Sequence, residues 1–217
     1  MTVLLSDPLI AAISAGENGE PLVDLREVPG LRLGAHAADP LGAYALARSG
    51  VLDRLLAAQA ALPDGVRLLV IECYRPPKLQ QRYFAEYREE LRAMYPKWTD
   101  ERLHVEASKF VSPPEVAPHC TGGAVDLTLA TGDGAALDLG TAVNANPEAS
   151  AGACFTAATG IPAEARRNRD LLVAALTGAG LVNYPTEWWH WSYGERYWAH
   201  VTGTRETRYS AVTPPVA

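Results

Sequence analysis

The stretch PHCTGGAVDLTL, Pro118–Leu129, holds an imidazole at His119 and a carboxylate at Asp126, on either side of the pair Gly122-Gly123. Its second half, AVDLTLA at 124–130, alternates small or polar residues with apolar ones. That is the period of a β-strand, and it puts Asp126 on one face with Ala124 and Thr128. Two glycines just before a strand suit a tight approach of backbones. The complement lies near the other end, where EWWHWSYG, Glu187–Gly194, offers a carboxylate at Glu187 and an imidazole at His190. Taken alone, the first stretch reads more readily as a turn histidine and a sheet aspartate, and the second as a buried aromatic strand. Taken together, two histidines and a carboxylate are a common ligand set for a catalytic divalent metal, which keeps one position open for water. A spare carboxylate is the proton acceptor such a water needs.

Working outward, VRLLVIECY at 66–74 is apolar and β-branched, long enough for a strand and short for a helix, and reads as a central buried strand. Arg75-Pro76-Pro77 ends it, because proline supplies no amide donor to a ladder. A helix fits residues 78–94, with Leu79, Tyr83, Phe84, Tyr87 and Leu91 on one face, and a second fits 101–110, capped by Thr99 or Asp100. Upstream, PLVDL (21–25) and LRLGA (31–35) read as short strands, and HAADPLGAY (36–44) as a loop. Residues 43–62 read as an amphipathic helix built on Val51, Leu55, Ala58 and Leu62 and weakened by Gly50. Downstream, 131–160 is a long loop near the site, Pro162 starts a helix to about 176, and VNY, WWHWSY and RYWAHV read as strands of a meander. This order predicts an α+β fold, a mainly antiparallel sheet with helices packed on one face. One domain spans 1–217, with 1–20 a peripheral, irregular or partly helical lead-in and 203–217 a peripheral tail, loose over 213–217.

Apolar residues make up 48% and charged residues 20%, a globular composition. The net charge of −6, with no basic cluster, argues against a nucleic-acid partner and against a polybasic membrane anchor. No run approaches the roughly 18 apolar residues of a membrane span. The N-terminus lacks the basic region of a signal peptide, and Cys73, Cys120 and Cys154 are an odd, widely spaced set that suits a reducing compartment. The expectation is a cytoplasmic protein; nothing in the sequence bears on its oligomeric state.

Glu187 sits among Trp188, Trp189 and Trp191, and an apolar setting raises a carboxylate toward neutrality, which suits a general base. On a strand Glu187 and His190 would face opposite sides, so a turn or bulge must lie between them if both reach one metal. Arg75 ends the most apolar strand; it either pairs with a carboxylate such as Glu72 or serves as a fixed cation that stabilises an oxyanion. Cys120, beside His119, is a bystander or a thiolate ligand. No GxSxG, P-loop or GxGxxG is present, so serine hydrolase, P-loop and dinucleotide readings lack support. A non-haem iron oxygenase shares the ligand types, but its usual spacing is His-x-Asp, against six intervening residues here. A non-catalytic metal-stabilised module would be expected to lose Glu187 or Arg75, and both are present.

From about Leu22 to Ala199 the chain resembles the VanX-type D-alanyl-D-alanine dipeptidases, zinc peptidases in the fold group of the D,D-carboxypeptidases and the hedgehog signalling domain. Three blocks carry the resemblance in order: Tyr74-Arg75-Pro76, an S-x-H-x-x-G-x-A-x-D block ending at Asp126, and an E-x-W-H block, Glu187 to His190. It implies one zinc per chain held by His119, Asp126 and His190, with Glu187 as general base and Arg75 as oxyanion stabiliser. The implied substrate is a small dipeptide such as D-Ala-D-Ala, in cell-wall turnover or glycopeptide resistance. Tyr74 and Trp189 are further candidates for substrate contact. Two positions depart from the pattern: Ala117 stands for its serine, and Gly140-Thr141-Ala142-Val143-Asn144 ends in Asn144 where the family has aspartate. In the family both positions are associated with holding the dipeptide, so these changes favour a different dipeptide or a D,D-carboxypeptidase substrate.

Overall fold

The structure is a computed structural model that describes residues 3–34 and 41–212. In chain order its regular elements are α1 (Pro8–Ala11), β1 (Leu22–Asp24), β2 (Arg32–Leu33), β3 (Leu46–Arg48), α2 (Ser49–Ala61), β4 (Val66–Glu72), α3 (Pro77–Met94), α4 (Asp100–Ala107), β5 (Ala124–Thr131), α5 (Ala163–Gly178), β6 (Val182–Asn183), β7 (His190–Ser192) and α6 (Arg196–Thr202). The main sheet runs β2-β4-β5-β7-β6, and β1 pairs with β3 in a separate two-stranded ribbon. Within the main sheet, among the described residues, only β2 and β4 are parallel. The fold is α+β with a mainly antiparallel sheet, as the order of elements implies. Ala35 and residues 36–40 of the expected loop, and 213–217 of the expected tail, lie outside the described residues.

Alternation decides which side chains meet the core. Leu68 and Val70 of β4, Val125, Leu127 and Leu129 of β5 and Trp191 of β7 point to one face. There they pack with Val51, Leu55 and Ala58 of α2 and Leu172, Ala175 and Leu176 of α5, and burial of each large side chain stabilises by roughly 1.5–3 kcal/mol. The other face carries Asp126, Thr128, His190 and Ser192, all buried. Beside it stands the hairpin of α3 and α4, held by its own cluster of Phe84, Leu91, Leu103 and Ala107. Thr99 caps α4 by accepting from Arg102 N. Among the described residues no helix is long and apolar enough to cross a membrane.

Four expectations need correction. The helix read over 43–62 begins at Ser49; Ala43–Ala45 is a 3-10 turn, and Leu46–Arg48 is drawn into β3 by pairing with Leu22–Asp24. Gly50 falls in the first turn of that helix and not within it, and the packing requires it: a side chain there would strike the Glu20 carboxylate and the Tyr209 hydroxyl, and its N–H donates to Glu20 Oε2 at 2.9 Å. The strand at 66–72 is interior and largely buried, paired with β2 and β5, but the middle place of the five strands is taken by β5. RYWAHV is helix α6 and no strand, because the Glu195 carboxylate accepts from Tyr197 N and Trp198 N, both at 2.7 Å, and starts a helix there.

Nor do the ends hang free where they are described. Buried Arg48 donates to Glu17 Oε2 at 2.7 Å, to Glu20 O at 2.6 Å, to Thr121 O at 2.8 Å and to Ser210 O at 3.2 Å. One side chain thus ties the lead-in, the turn after His119 and the C-terminal segment together. Leu5 and Ile10 pack against Tyr184 and Tyr197.

Candidate metal centre

Proline at 118 starts a 3-10 turn, Pro118–Thr121, that Gly122 closes at φ 70°, where a side chain would also strike Leu22. The turn holds His119 buried over the sheet, with its Nδ1–H donated to Cys73 O at 2.6 Å. Nε2 of His119 is therefore a bare lone pair. Asp126 and His190 are cross-strand partners on β5 and β7. The three donor atoms converge: His190 Nδ1 lies 3.0 Å from Asp126 Oδ1 and 3.2 Å from His119 Nε2, and His119 Nε2 lies 3.4 Å from Asp126 Oδ1. A tetrahedral ion with ligands at about 2.0–2.1 Å has edges of roughly 3.3 Å. The triangle has the size of one face of such a tetrahedron, and three lone pairs turned on one point require a cation or a proton between them. The residues fit a divalent metal.

The charges agree. Burial alone would raise the Asp126 pKa, but the two imidazoles beside it hold it well below the usual carboxylate range. Burial alone would lower His119, but Asp126 outweighs it and keeps the imidazole above its ordinary value. The site therefore attracts positive charge. Burial pushes the Cys120 thiol up to about 12, and Cys120 is not one of the converging donors, which leaves it a neutral neighbour.

A turn does separate Glu187 from His190. Glu187 N donates to Tyr184 O at 2.9 Å and His190 N to Glu187 O at 3.2 Å. Asn183 fixes this turn from β6, its amide donating to Glu187 O at 3.1 Å and His190 O at 3.0 Å. Glu187 Oε2 consequently stands 4.0 Å from His190 Nδ1, beside the donor triangle but outside it. Burial pushes its pKa up to about 7, against the opposing pull of His190.

These groups share a cavity of about 320 Å³ that Arg75, Ala117, Asn144 and Trp189 also line. Trp189 Nε1 is buried beside the Glu187 carboxylate, whose proton affinity it lowers. Asn144 sits at φ 62° on the long loop, a left-handed conformation that asparagine tolerates better than most residues. That loop is held by Arg169, fully buried, which donates to Leu139 O at 2.6 Å and to Ala153 O and Phe155 O at 2.7 Å. Tyr74 does not line the cavity: it is fully buried, and its hydroxyl donates to Val212 O at 2.5 Å. Sequence reasoning missed Gln80, Tyr184 and Asn183 at the site, since none lies in a motif, and saw Glu72 only as a partner for Arg75.

Residues 34–208 match the family model described as D-ala-D-ala dipeptidase. A D-alanyl-D-alanine dipeptidase of Synechocystis sp. is 31% identical over 87% of this chain and 87% of its own. One of Escherichia coli is 29% identical over 58% of this chain and 55% of its own. Among solved structures, a mutant of the vancomycin resistance D,D-pentapeptidase VanY in complex with Zn(II) covers 89% of this chain and 86% of that one, at 19% identity and a TM-score of 0.43. With the family model spanning most of its length, the chain belongs to the D-ala-D-ala dipeptidase family and is a metallopeptidase.

Proposed function

We propose that the chain is a zinc-dependent dipeptidase that hydrolyses a small D-amino-acid dipeptide, with D-Ala-D-Ala the first substrate to test. One observation carries the reading: a carboxylate, Glu187, stands 4.0 Å from a triangle of two imidazoles and a carboxylate, and all four groups line one cavity. Zinc held by His119, Asp126 and His190 would supply Lewis acidity toward the scissile carbonyl and the attacking water. Glu187 accepts the proton of that water and passes it to the leaving amine, and a pKa near neutrality suits both transfers. Arg75 offers N–H donors to the oxygen that gains negative charge. The names borne by the Synechocystis and Escherichia coli relatives support the substrate.

A second reading keeps the chemistry and changes the substrate to another dipeptide, or to the C-terminal D-residue of a longer peptide. Asn144 favours it, because an amide in the cavity wall lacks the charge-assisted bond that a carboxylate gives a free ammonium, worth roughly 1.5–3 kcal/mol. The test is release of D-alanine from D-Ala-D-Ala by the zinc-loaded protein, with a chelated sample as control. N-acetyl-D-Ala-D-Ala is run beside it. Zinc-dependent release from the free dipeptide supports the first reading, and release from the acetylated form alone replaces it with the second.

A further inference from the structure

Strand β4 contains a bulge. Val70 is paired with Leu127 and Glu72 with Asp126, so Ile71 is an extra residue. Uninterrupted alternation would turn Glu72 to the face of Leu68 and Val70, into the apolar core. The bulge turns it to the opposite face, in one row with Asp126 and His190 across three strands. There its carboxylate takes Arg75 in a fork, Nε to Oε1 at 2.7 Å and Nη2 to Oε2 at 2.5 Å. Arg75 Nη1 donates to Gln80 Oε1 at 2.8 Å, and the buried Gln80 amide donates in turn to Ser112 O at 2.6 Å. The Tyr83 ring lies 5.3 Å from the guanidinium carbon.

A guanidinium has five N–H donors. Three are taken, and one on Nη1 and one on Nη2 remain for the cavity. The same cavity holds two other carboxylates, Asp126 and Glu187, and an arginine on a flexible stem would pair with either. Such a pair would remove the base or compete with the metal.

We propose that Glu72 and Gln80 are positioning residues for Arg75. They hold its guanidinium at the cavity wall, aim its two remaining donors inward and keep it off Glu187 and Asp126. The proposal rests on the reading of Arg75 as oxyanion stabiliser, and the experiment separates the two. In the zinc-loaded protein, Arg75→Ala is expected to lower kcat about 100-fold, the size of one lost oxyanion donor. Glu72→Gln is expected to lower kcat on the order of 10-fold or more, with KM within about twofold and one zinc retained, and to add less than about twofold in the Arg75→Ala background. Glu72→Asp restores part of the loss, and Gln80→Leu, which leaves the ion pair intact, gives a smaller one. A readout free of turnover is the Arg75 Nε–H signal in nitrogen-15 NMR, assigned by its absence in Arg75→Lys. It is expected to exchange slowly in the native protein and to broaden or vanish in Glu72→Gln. A harmful Arg75→Ala beside a harmless Glu72→Gln, additive losses in the double variant, or an unchanged Nε–H signal overturns the positioning role alone. Full kcat in Arg75→Ala overturns the oxyanion role and the proposal with it.

Discussion

On one side of β5, Val125, Leu127 and Leu129 meet the apolar faces of α2 and α5; on the other, which Ala124, Asp126 and Thr128 share, Asp126 meets two imidazoles and a cavity. The two sides belong to the same eight residues, and nearly all of both is buried. Alternation of polar and apolar residues is usually taken to mean that one side is wet. Here it separates two interiors. The first is bound by non-directional packing that tolerates similar shapes, and the second by charges that must find named partners.

That contrast breaks first at the donor triangle. His119→Ala removes one corner of the donor triangle and is expected to abolish both stoichiometric zinc binding and turnover, read by elemental analysis and D-alanine release. Zinc retained at one per chain would move the metal elsewhere. Next in size, Glu187→Gln is expected to lower kcat by about 10²- to 10⁴-fold while zinc stays bound, since it removes a proton acceptor and no ligand. Loss of zinc would show that Glu187 is a ligand. On the packing side, Leu127→Ala should cost roughly 2–5 kcal/mol in denaturant unfolding and leave zinc affinity in the folded protein unchanged. A large drop in affinity would mean that the two sides of β5 are coupled. The smallest effect is one of pH. Burial lifts Glu187 to about 7, and Asp126 keeps His119 above its ordinary value despite burial. Both therefore hold protons in the metal-free protein at pH 6 that an incoming cation expels, and by pH 8 Glu187 has given up most of its own. Zinc affinity should rise with pH across that window, by up to about tenfold per unit for each proton displaced. Calorimetry in two buffers should find more protons released at pH 6; equal release at both values would exclude the linkage.

Much of the core side and the donor triangle was legible, for different reasons. Leu68, Val70, Leu127 and Leu129 announce themselves by period, and His119, Asp126, Glu187 and His190 by residue type and by the turn that the last two demand. The misreadings fall where distant contacts decide. Leu46–Arg48 has helix-forming residues, and only pairing with Leu22–Asp24 makes it a strand. The aromatic run after Glu195 suits a strand until its cap is counted. Glu72 was visible as a partner for Arg75, but its place in the site depends on a bulge that leaves no mark in VRLLVIE. Tyr74 shares a block with Arg75, yet it points to Val212 and serves the fold.

The row of Glu72, Asp126 and His190 also limits how such a chain can change in length. Adding or deleting one residue within β5, or moving His190 by one along β7, turns Asp126 or His190 inward against Trp191 and Leu127 and replaces one of the three converging donors by a hydrocarbon. Growth and shrinkage are confined to the connections, such as the long segment between β5 and α5. The one extra residue that β4 carries, Ile71, falls at the single place in the row where a shift delivers a carboxylate to the site.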